Sequence, residues 1–296
     1  MPSLYTQADS NIHKTWLLIS LFLVFIISLG WFFSIILESY LFLFIAVIIA
    51  VVQSSIGYWY SDKIVLSMAN AKLIKKEDSL ELYRIVENLS ITAGLPMPKI
   101  YIMEEEQPNA FATGRDPAHS CIVVTRGLLK KLERSELEGV MAHELSHIGN
   151  RDIFLGTVIV VLVGVIAILA RIFLRISFMG GSRRNSKNNL GFLMIALGVV
   201  AAILAPLAAS LIRLSISRKR EFLADASGSL LTRYPEGLIK ALEKISKDET
   251  PLKKINNSTS HLYISSPFKG KQKKSWFTKL FRTHPPIEER IKALRR

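Results

Sequence analysis

The chain of 296 residues has one cysteine, Cys121, and is poor in acidic residues, with 24 Asp and Glu against 38 Lys and Arg. One cysteine excludes the class of small secreted proteins that are held together by internal disulfides, and it fits a reducing compartment or indifference to redox state. Because Cys121 lies in an apolar stretch, we expect it to be a buried filler of the core.

An excess of basic residues is typical of proteins that bind nucleic acid and of proteins that contact membranes. No nucleic-acid-binding motif is present, and the basic residues lie beside apolar runs. Half of the residues are hydrophobic and the mean hydropathy is +0.30, although the formal net charge is +14. We therefore expect a membrane protein with a basic aqueous part, in contact with a lipid bilayer and with no nucleic acid.

Four apolar segments approach or exceed the roughly 20 residues that a helix needs to cross a bilayer. They are Trp16–Leu37, Tyr40–Tyr60, Ile153–Ala170 and Leu190–Leu214. A cleaved signal peptide is not expected, because no small-residue cleavage site separates the first segment from the second. The third is short enough either to span thinly or to be partly buried in protein.

These segments divide the chain into four parts. Residues 1–60 are predicted to form a transmembrane hairpin, and residues 153–214 a second hairpin with a polar loop at 171–189. Residues 61–152 and 215–296 then lie on one side and build one aqueous domain. The cations near the membrane on that side are Lys14, Lys63, Lys72, Lys75, Lys76, Arg151, Arg218, Lys219 and Arg220. By the positive-inside rule this side is cytoplasmic.

The loop at 171–189 conflicts with that orientation, because it is basic and contains no acidic residue. On the outer side it would breach the positive-inside rule. A third and a fourth segment that do not span the membrane would remove the conflict.

The first aqueous part alternates helix and strand patterns. A helix is predicted from about Ser79 to Ala93, where Gly94 stops it. Short strands are predicted at Lys99–Glu104, Ala110–Thr113 and Cys121–Thr125. Ser135 and Glu138 resemble a capping box, which predicts the start of a helix that leads directly into the third apolar segment.

That helix carries the most informative pattern of the chain, His143-Glu144-Leu145-Ser146-His147. Two histidines one helical turn apart point the same way and can bind one metal ion, and Glu144 can act on a water beside it. The alternative is a solvated helix face that binds no metal.

A catalytic zinc site normally has three protein ligands, so a third is needed. Ile153 stands where one extended pattern has its third histidine, which excludes that pattern. The best candidate is Glu221, and Asp225, one turn later, could accept a hydrogen bond from the outward nitrogen of a ligand histidine. The alternative is that both are surface carboxylates paired with Arg218 and Lys219.

Several stretches together resemble HtpX-type membrane zinc metalloproteases, which are relatives of the CAAX prenyl endopeptidases. They are Asn109 to Gly114, His143 to His147 continuing to Asn150-Arg151-Asp152, Ser217-Arg218 through Glu221 to Asp225, and Thr283-His284-Pro285-Pro286 with Ile287-Glu288-Glu289-Arg290. The similarity covers nearly the whole chain. Phe222 stands where family members often have Tyr.

The resemblance implies a fold and a site. The fold is mainly α, a polytopic membrane protein with four transmembrane helices and a small α+β zincin-like (gluzincin) catalytic domain assembled from two chain segments. One Zn²⁺ per subunit would be bound by His143, His147 and Glu221, with Glu144 as general base.

Two further roles are expected beside the metal. His284 is our candidate for the oxyanion donor, although a residue that enters a helix before two prolines needs no catalytic role. Asn109, Ala110, Phe111, Ala112 and Thr113 would offer an edge strand to the substrate, or would simply be core strand.

The expected function is an endopeptidase of the cell membrane that cleaves misfolded or damaged membrane proteins or unfolded polypeptides. A prenyl-protein endopeptidase is the alternative within the same class, although such proteins usually have more apolar segments. A non-catalytic scaffold with a structural metal is the alternative outside it. A structural zinc would have four protein ligands and no need of Glu144.

Overall fold

The computed structural model describes residues 4–36, 38–180, 218–250 and 285–295, together with residues 199, 200, 203, 204, 206, 211, 262 and 264. The predicted segment Leu190–Leu214 is described only at a few of these isolated positions. His284 and residues 181–189 of the predicted loop lie outside the described residues.

The described part of the chain is mainly helical, as predicted. Its helices are α1 Leu4–Ile36, α2 Leu41–Trp59, α3 Ser61–Met68, α4 Leu80–Ala93, α5 Arg126–Lys131, α6 Arg134–Gly149, α7 Asp152–Gly180, α8 Arg218–Thr232, α9 Pro235–Lys247 and α10 Ile287–Leu294. Its strands are β1 Lys72–Leu73, β2 Lys99–Met103, β3 Ala110–Gly114 and β4 Ser120–Thr125.

Three helices are long and apolar enough to cross a membrane, over Ala8–Ile36, Leu41–Trp59 and Asp152–Ile172. The first two form the predicted hairpin. They approach closely where Gly30 faces Ala46, since a Cβ at Gly30 would lie 2.1 Å from that of Ala46. The spans predicted on α1, α2 and α7 are thus confirmed as candidates by length and composition.

The third span differs from its prediction. Helix α7 continues past Ala170 to Gly180, so the first half of the predicted loop at 171–189 is helical. About two thirds of the most apolar window of this helix is buried within the protein. Leu155 and Ile159 of α7 pack in one apolar cluster with Phe22 of α1 and with Leu204. The apolar part of this helix therefore presents most of its surface to protein.

The sheet has the order β1-β2-β4-β3, with β2 and β4 parallel and both outer pairs antiparallel. The three predicted strands are confirmed, whereas the short strand β1 was not predicted. Cys121 in β4 is buried, and burial raises the pKa of its thiol to about 12, so it is a neutral core residue as predicted. Among the described residues, β3 pairs with β4 alone and is an edge strand.

Helix α6 lies in the middle of the aqueous part. It packs against α4, α8, α9 and β3, and its residues Val140, Met141 and Leu145 are fully buried. The predicted capping box at Ser135 and Glu138 is wrong: Glu133 is the N-cap and Glu136 accepts from its backbone N–H, so the helix starts earlier. Helix α4 ends as predicted at Gly94, whose φ of 63° is left-handed.

Candidate active site

Helices α6 and α8 bring the three predicted metal ligands together. The ligand atoms of His143, His147 and Glu221 all lie within 4.8 Å of one another. The Nε2 atoms of the two histidines are 3.2 Å apart. One carboxylate oxygen of Glu221 lies 3.8 Å from the Nε2 of His143, and the other lies 3.6 Å from the Nε2 of His147. Helix α8 can approach this closely at Gly228, where a Cβ would lie 2.9 Å from the His143 backbone nitrogen.

These distances fit a small divalent ion. Ligand atoms about 2.0–2.2 Å from a tetrahedral centre lie roughly 3.3–3.6 Å from one another. Both histidines use Nδ1 for hydrogen bonds to carboxylates, which leaves Nε2 with its lone pair toward the centre of the cluster. The donor set of two imidazoles and one carboxylate therefore fits a transition-metal ion such as zinc.

His143 is held from behind by a buried ion pair. Its Nδ1 lies 2.9 Å from Asp225 Oδ1, and Arg290 of α10 donates to both Asp225 oxygens, at 2.6 and 2.8 Å. Burial alone would raise the pKa of Asp225, but the charge of Arg290 and the hydrogen bonds from Arg290 and His143 lower it to about 2. Asp225 is therefore ionised at neutral pH and orients the His143 ring.

His147 has a second carboxylate as its partner, that of the largely buried Asp152. Its Nδ1 lies 2.9 Å from Asp152 Oδ2 at the start of α7, and Arg220 Nε lies 3.8 Å from the other oxygen of Asp152. Burial opposes protonation of His147, but the hydrogen bond to Asp152 and the negative charge of Glu221 outweigh it and raise its pKa to about 9. The surroundings of this ring thus favour a positive charge, as a cation site requires.

A cavity of about 60 Å³ opens onto the cluster, which is room for an ion and a water. It is lined by Ala112, His143, Glu144, His147, Asp152, Ile153, Gly156, Arg220, Glu221, Leu262 and Ile264. Glu144 is 3% exposed and lies in this cavity beside the ligands. Ala112 brings the edge strand β3 to the same cavity.

The other predicted site residues that the structure describes are also buried. Glu221 and Asp225 are both buried, so the alternative that they are surface carboxylates is wrong. The residues predicted at the substrate strand, Asn109, Ala110, Phe111, Ala112 and Thr113, lie in or next to β3 and are all buried; Ala112 is the one among them that lines the cavity.

Sequence reasoning assigned no role to four residues that contact the site. Asp152, Arg220 and Arg290 each lie within a stretch that carries the family resemblance, so a signal for them was present. Asn11 donates to Asp152 from α1 at 2.7 Å. It lies far from those stretches, and no sequence signal pointed to it.

Comparisons with known proteins agree with this geometry. The sequence-family model described as "Peptidase family M48" matches residues 76–296 of this chain. This chain belongs to peptidase family M48. The members of this family are metallopeptidases, and the His143, His147 and Glu221 cluster is a plausible metal site in this M48 peptidase.

The curated relatives narrow the assignment within the family. Proteins named "Protease HtpX homolog" match this M48 peptidase over nearly its whole length. The one from Caldanaerobacter subterraneus subsp. tengcongensis is 44% identical over 99% of this chain and 97% of its own length. The one from Dictyoglomus turgidum is 46% identical, over 98% and 94%. The one from Tropheryma whipplei is 40% identical, over 99% and 98%. The chain is thus an HtpX-type membrane protease.

Among solved structures, the crystal structure of S. mikatae Ste24p aligns with 95% of the M48 peptidase and with 66% of its own chain. The TM-score is 0.48 and the sequence identity is 22%.

We predict that Arg290→Met destabilises this M48 peptidase by about 3–5 kcal/mol at pH 7, because the charge of Asp225 is left buried without its cation. In the wild type the pKa of Asp225 is lowered, so its stabilising contribution is complete above about pH 4 and is lost as the pH falls toward 2. In the variant Asp225 protonates at higher pH, so the loss of unfolding free energy relative to wild type is smaller at pH 4 than at pH 7. Thermal unfolding of both proteins in detergent at the two pH values measures this loss.

The control is Arg295→Met, which removes an exposed ion pair with Glu243 from the end of the same helix. Its effect should not exceed about 1 kcal/mol. Equal losses in the two variants, or a loss from Arg290→Met that is the same at both pH values, would contradict the assignment.

Proposed function

We propose that this membrane protease is a zinc-dependent endopeptidase with His143, His147 and Glu221 as metal ligands and Glu144 as general base. The observation that carries the proposal is the convergence of the three ligand atoms beside Glu144 in one buried cavity. Three protein ligands and an adjacent acid are the arrangement of catalytic zinc sites. The family assignment likewise favours the protease over a non-catalytic scaffold.

A zinc ion bound here would lower the pKa of a water and polarise the carbonyl of the scissile bond. Glu144 takes the proton of that water and delivers it to the leaving amine. Asp225 and Asp152 act through the histidines, whose rings they hold with Nε2 toward the ion. His284 remains our candidate for the donor that stabilises the oxyanion.

An extended substrate is proposed to pair with the edge of β3. In an antiparallel pair, the backbone groups of alternate residues point away from the partner strand. Thr125 donates to the Asn109 carbonyl, so the residues whose groups point outward are Ala110, Ala112 and Gly114. Ile264 donates to the Ala110 carbonyl, and the Gly114 N–H donates to Thr157. Ala112 lies between these two positions and faces the cavity.

The proposed substrates are misfolded or damaged membrane proteins and unfolded polypeptides. Pairing through the backbone of Ala112 reads chain shape more than side chains, which allows many sequences. Helix α6 leads within two residues into α7, so the site lies at the end of a membrane span. The domain division at 1–60, 61–152, 153–214 and 215–296 is retained in this proposal, since α6 of the second part packs against α8 and α9 of the fourth.

The catalytic domain is proposed to face the cytoplasm. Cations lie next to aromatic rings where α2 meets this domain: Lys63 Nζ is 5.0 Å from the centre of the Tyr60 ring, and the Arg115 guanidinium is 4.8 Å from that of Trp59. Tyr and Trp lie at both borders of membrane helices, whereas an excess of Lys and Arg in short flanking loops is typical of the cytoplasmic side, so the cations carry this assignment.

We predict that the surface of the catalytic domain is not accessible to reagents from outside the cell. In a Cys121→Ser background, Glu77→Cys places a thiol on the exposed domain surface and Tyr40→Cys one at the α1–α2 turn. A membrane-impermeant maleimide should label the Tyr40→Cys chain in intact cells, and the Glu77→Cys chain only after lysis. The reverse pattern would invert the orientation.

We predict that Glu144→Gln abolishes cleavage and retains the metal. The substitution removes the base but none of the three ligands, so the purified variant should bind one zinc per chain and lose on the order of 10²–10⁴-fold in cleavage rate of an unfolded protein. Metal content and cleavage are measured on both proteins after chelation and zinc return.

The control is Glu221→Gln, which should lose bound zinc as well as cleavage. Wild-type cleavage that survives chelation, or equal rates in wild type and Glu144→Gln, would contradict a metalloprotease with this base.

We predict that Ala112→Pro weakens substrate binding. Proline removes the outward N–H of Ala112, which β4 does not need, and proline is tolerated at such positions of edge strands. The expected result is a KM about tenfold higher, equivalent to about 1.4 kcal/mol, which is a typical net loss for one hydrogen bond. Zinc affinity and the unfolding temperature are the controls. An unchanged KM in a folded variant would contradict pairing at β3.

A further inference from the structure

Asn11 lies on the first membrane helix, α1, and its side chain is buried, with 1% exposure. Its amide nitrogen donates two hydrogen bonds, one to Asp152 Oδ1 at 2.7 Å and one to the Asn150 carbonyl oxygen at 3.1 Å. Both acceptors belong to the junction between α6 and α7. A residue distant in sequence thus contacts the carboxylate that holds a metal ligand.

The junction that Asn11 contacts has an unfavourable backbone conformation. Asn150 is the C-cap of α6, Asp152 begins α7, and Arg151 between them has a φ of 59°. A left-handed conformation in a residue other than glycine is unfavourable and persists only where its surroundings hold it. The two hydrogen bonds of Asn11 span this residue, so they stabilise the turn that places Asp152.

The chemistry of the contact requires an amide donor. Both acceptors, a carboxylate and a backbone carbonyl, lack a hydrogen to donate, so only the NH₂ group of Asn11 can bond to both. The Nε of Arg220 lies 3.8 Å from Asp152 Oδ1, which is beyond hydrogen-bond range. Asn11 therefore fixes one oxygen of Asp152 while the other accepts from His147.

We propose that Asn11 is a positioning residue of the metal centre. Through Asp152 it sets the orientation of the His147 ring, and so the N-terminal membrane hairpin determines how tightly the metal is bound. This inference rests on the proposed function, because it assumes that His147 is a metal ligand. It requires the full-length chain, since α1 supplies the donor.

The test is the zinc dissociation constant of the full-length protein in detergent, measured by competition with a chromogenic chelator. Asn11→Asp has the same shape as the wild type but places an oxygen against two acceptors, and Asn11→Ala removes the donor. Loss of a group that orients a ligand typically weakens metal binding about 10–100-fold, and we expect losses in this range for both variants. The absorption spectrum of the Co²⁺ form should also change, because the orientation of His147 changes.

Thr15→Val is the matched control. Thr15 is also buried on α1, and its hydroxyl donates to the carbonyl of Asn11 within the same helix. The substitution removes a buried polar group of nearly the same size without touching Asp152. Zinc affinity within about twofold of wild type is expected, because Thr15 bonds the backbone of Asn11 and not the side chain that contacts Asp152.

A double variant separates positioning from a general effect on folding. If Asn11 acts through Asp152, then Asn11→Ala combined with Asp152→Asn binds zinc no more weakly than Asp152→Asn alone. Additive losses would overturn the proposal, as would wild-type affinity in a folded Asn11→Asp. This comparison holds even if Asn11→Ala lowers the unfolding temperature, because zinc is added to the double variant and to Asp152→Asn at a temperature at which both are folded. Wild-type protein that binds no zinc would instead overturn the proposed function itself.

Discussion

The pairing of each proposed ligand histidine with a buried or largely buried carboxylate is the interaction on which the rest of the site depends. His143 is bonded to Asp225 and His147 to Asp152, each at 2.9 Å. Because α6 is enclosed by other helices and by the sheet, these carboxylates are buried and must be neutralised or hydrogen-bonded in turn. Arg290 does this for Asp225, and it therefore ties the C-terminal helix α10 to the centre of the domain.

This balance of charge explains why distant parts of the chain meet at one place. The segment after the second membrane region supplies Glu221 and Asp225, and the C-terminal helix supplies Arg290. A buried ion pair contributes less to stability than a well-packed apolar contact of the same volume. The arrangement is therefore better understood as orientation of the two rings toward an ion than as a device for stability.

The position of the site follows from the way α6 joins α7. The last ligand of α6, His147, is separated from a membrane span only by the short turn around Arg151. The same turn supplies Asp152, so the partner of a ligand is also the first residue of that span. On the other side, Ala112 of β3 reaches the cavity. In the proposed function, a polypeptide that leaves the bilayer at this point meets the edge strand and the proposed metal ligands together.

The sequence by itself determined the local elements and the three candidate metal ligands, which the structure brings together. The sequence pattern predicted the strands and helix α4, and the spacing of His143 and His147 placed both on one face of a helix. Glu221 was predicted as the third ligand from its place after an apolar segment. Local chemistry could not fix the start of α6, because Glu133 and Ser135 both offer a capping pattern and only packing chooses between them. Asp225 was predicted from the sequence as the partner of a ligand histidine. Only the tertiary structure showed that Arg290 contacts Asp225 and that Asn11 contacts Asp152, across long separations in sequence. The partner of a buried charge is a residue of whichever element packs beside it, and a single sequence does not show which elements pack together.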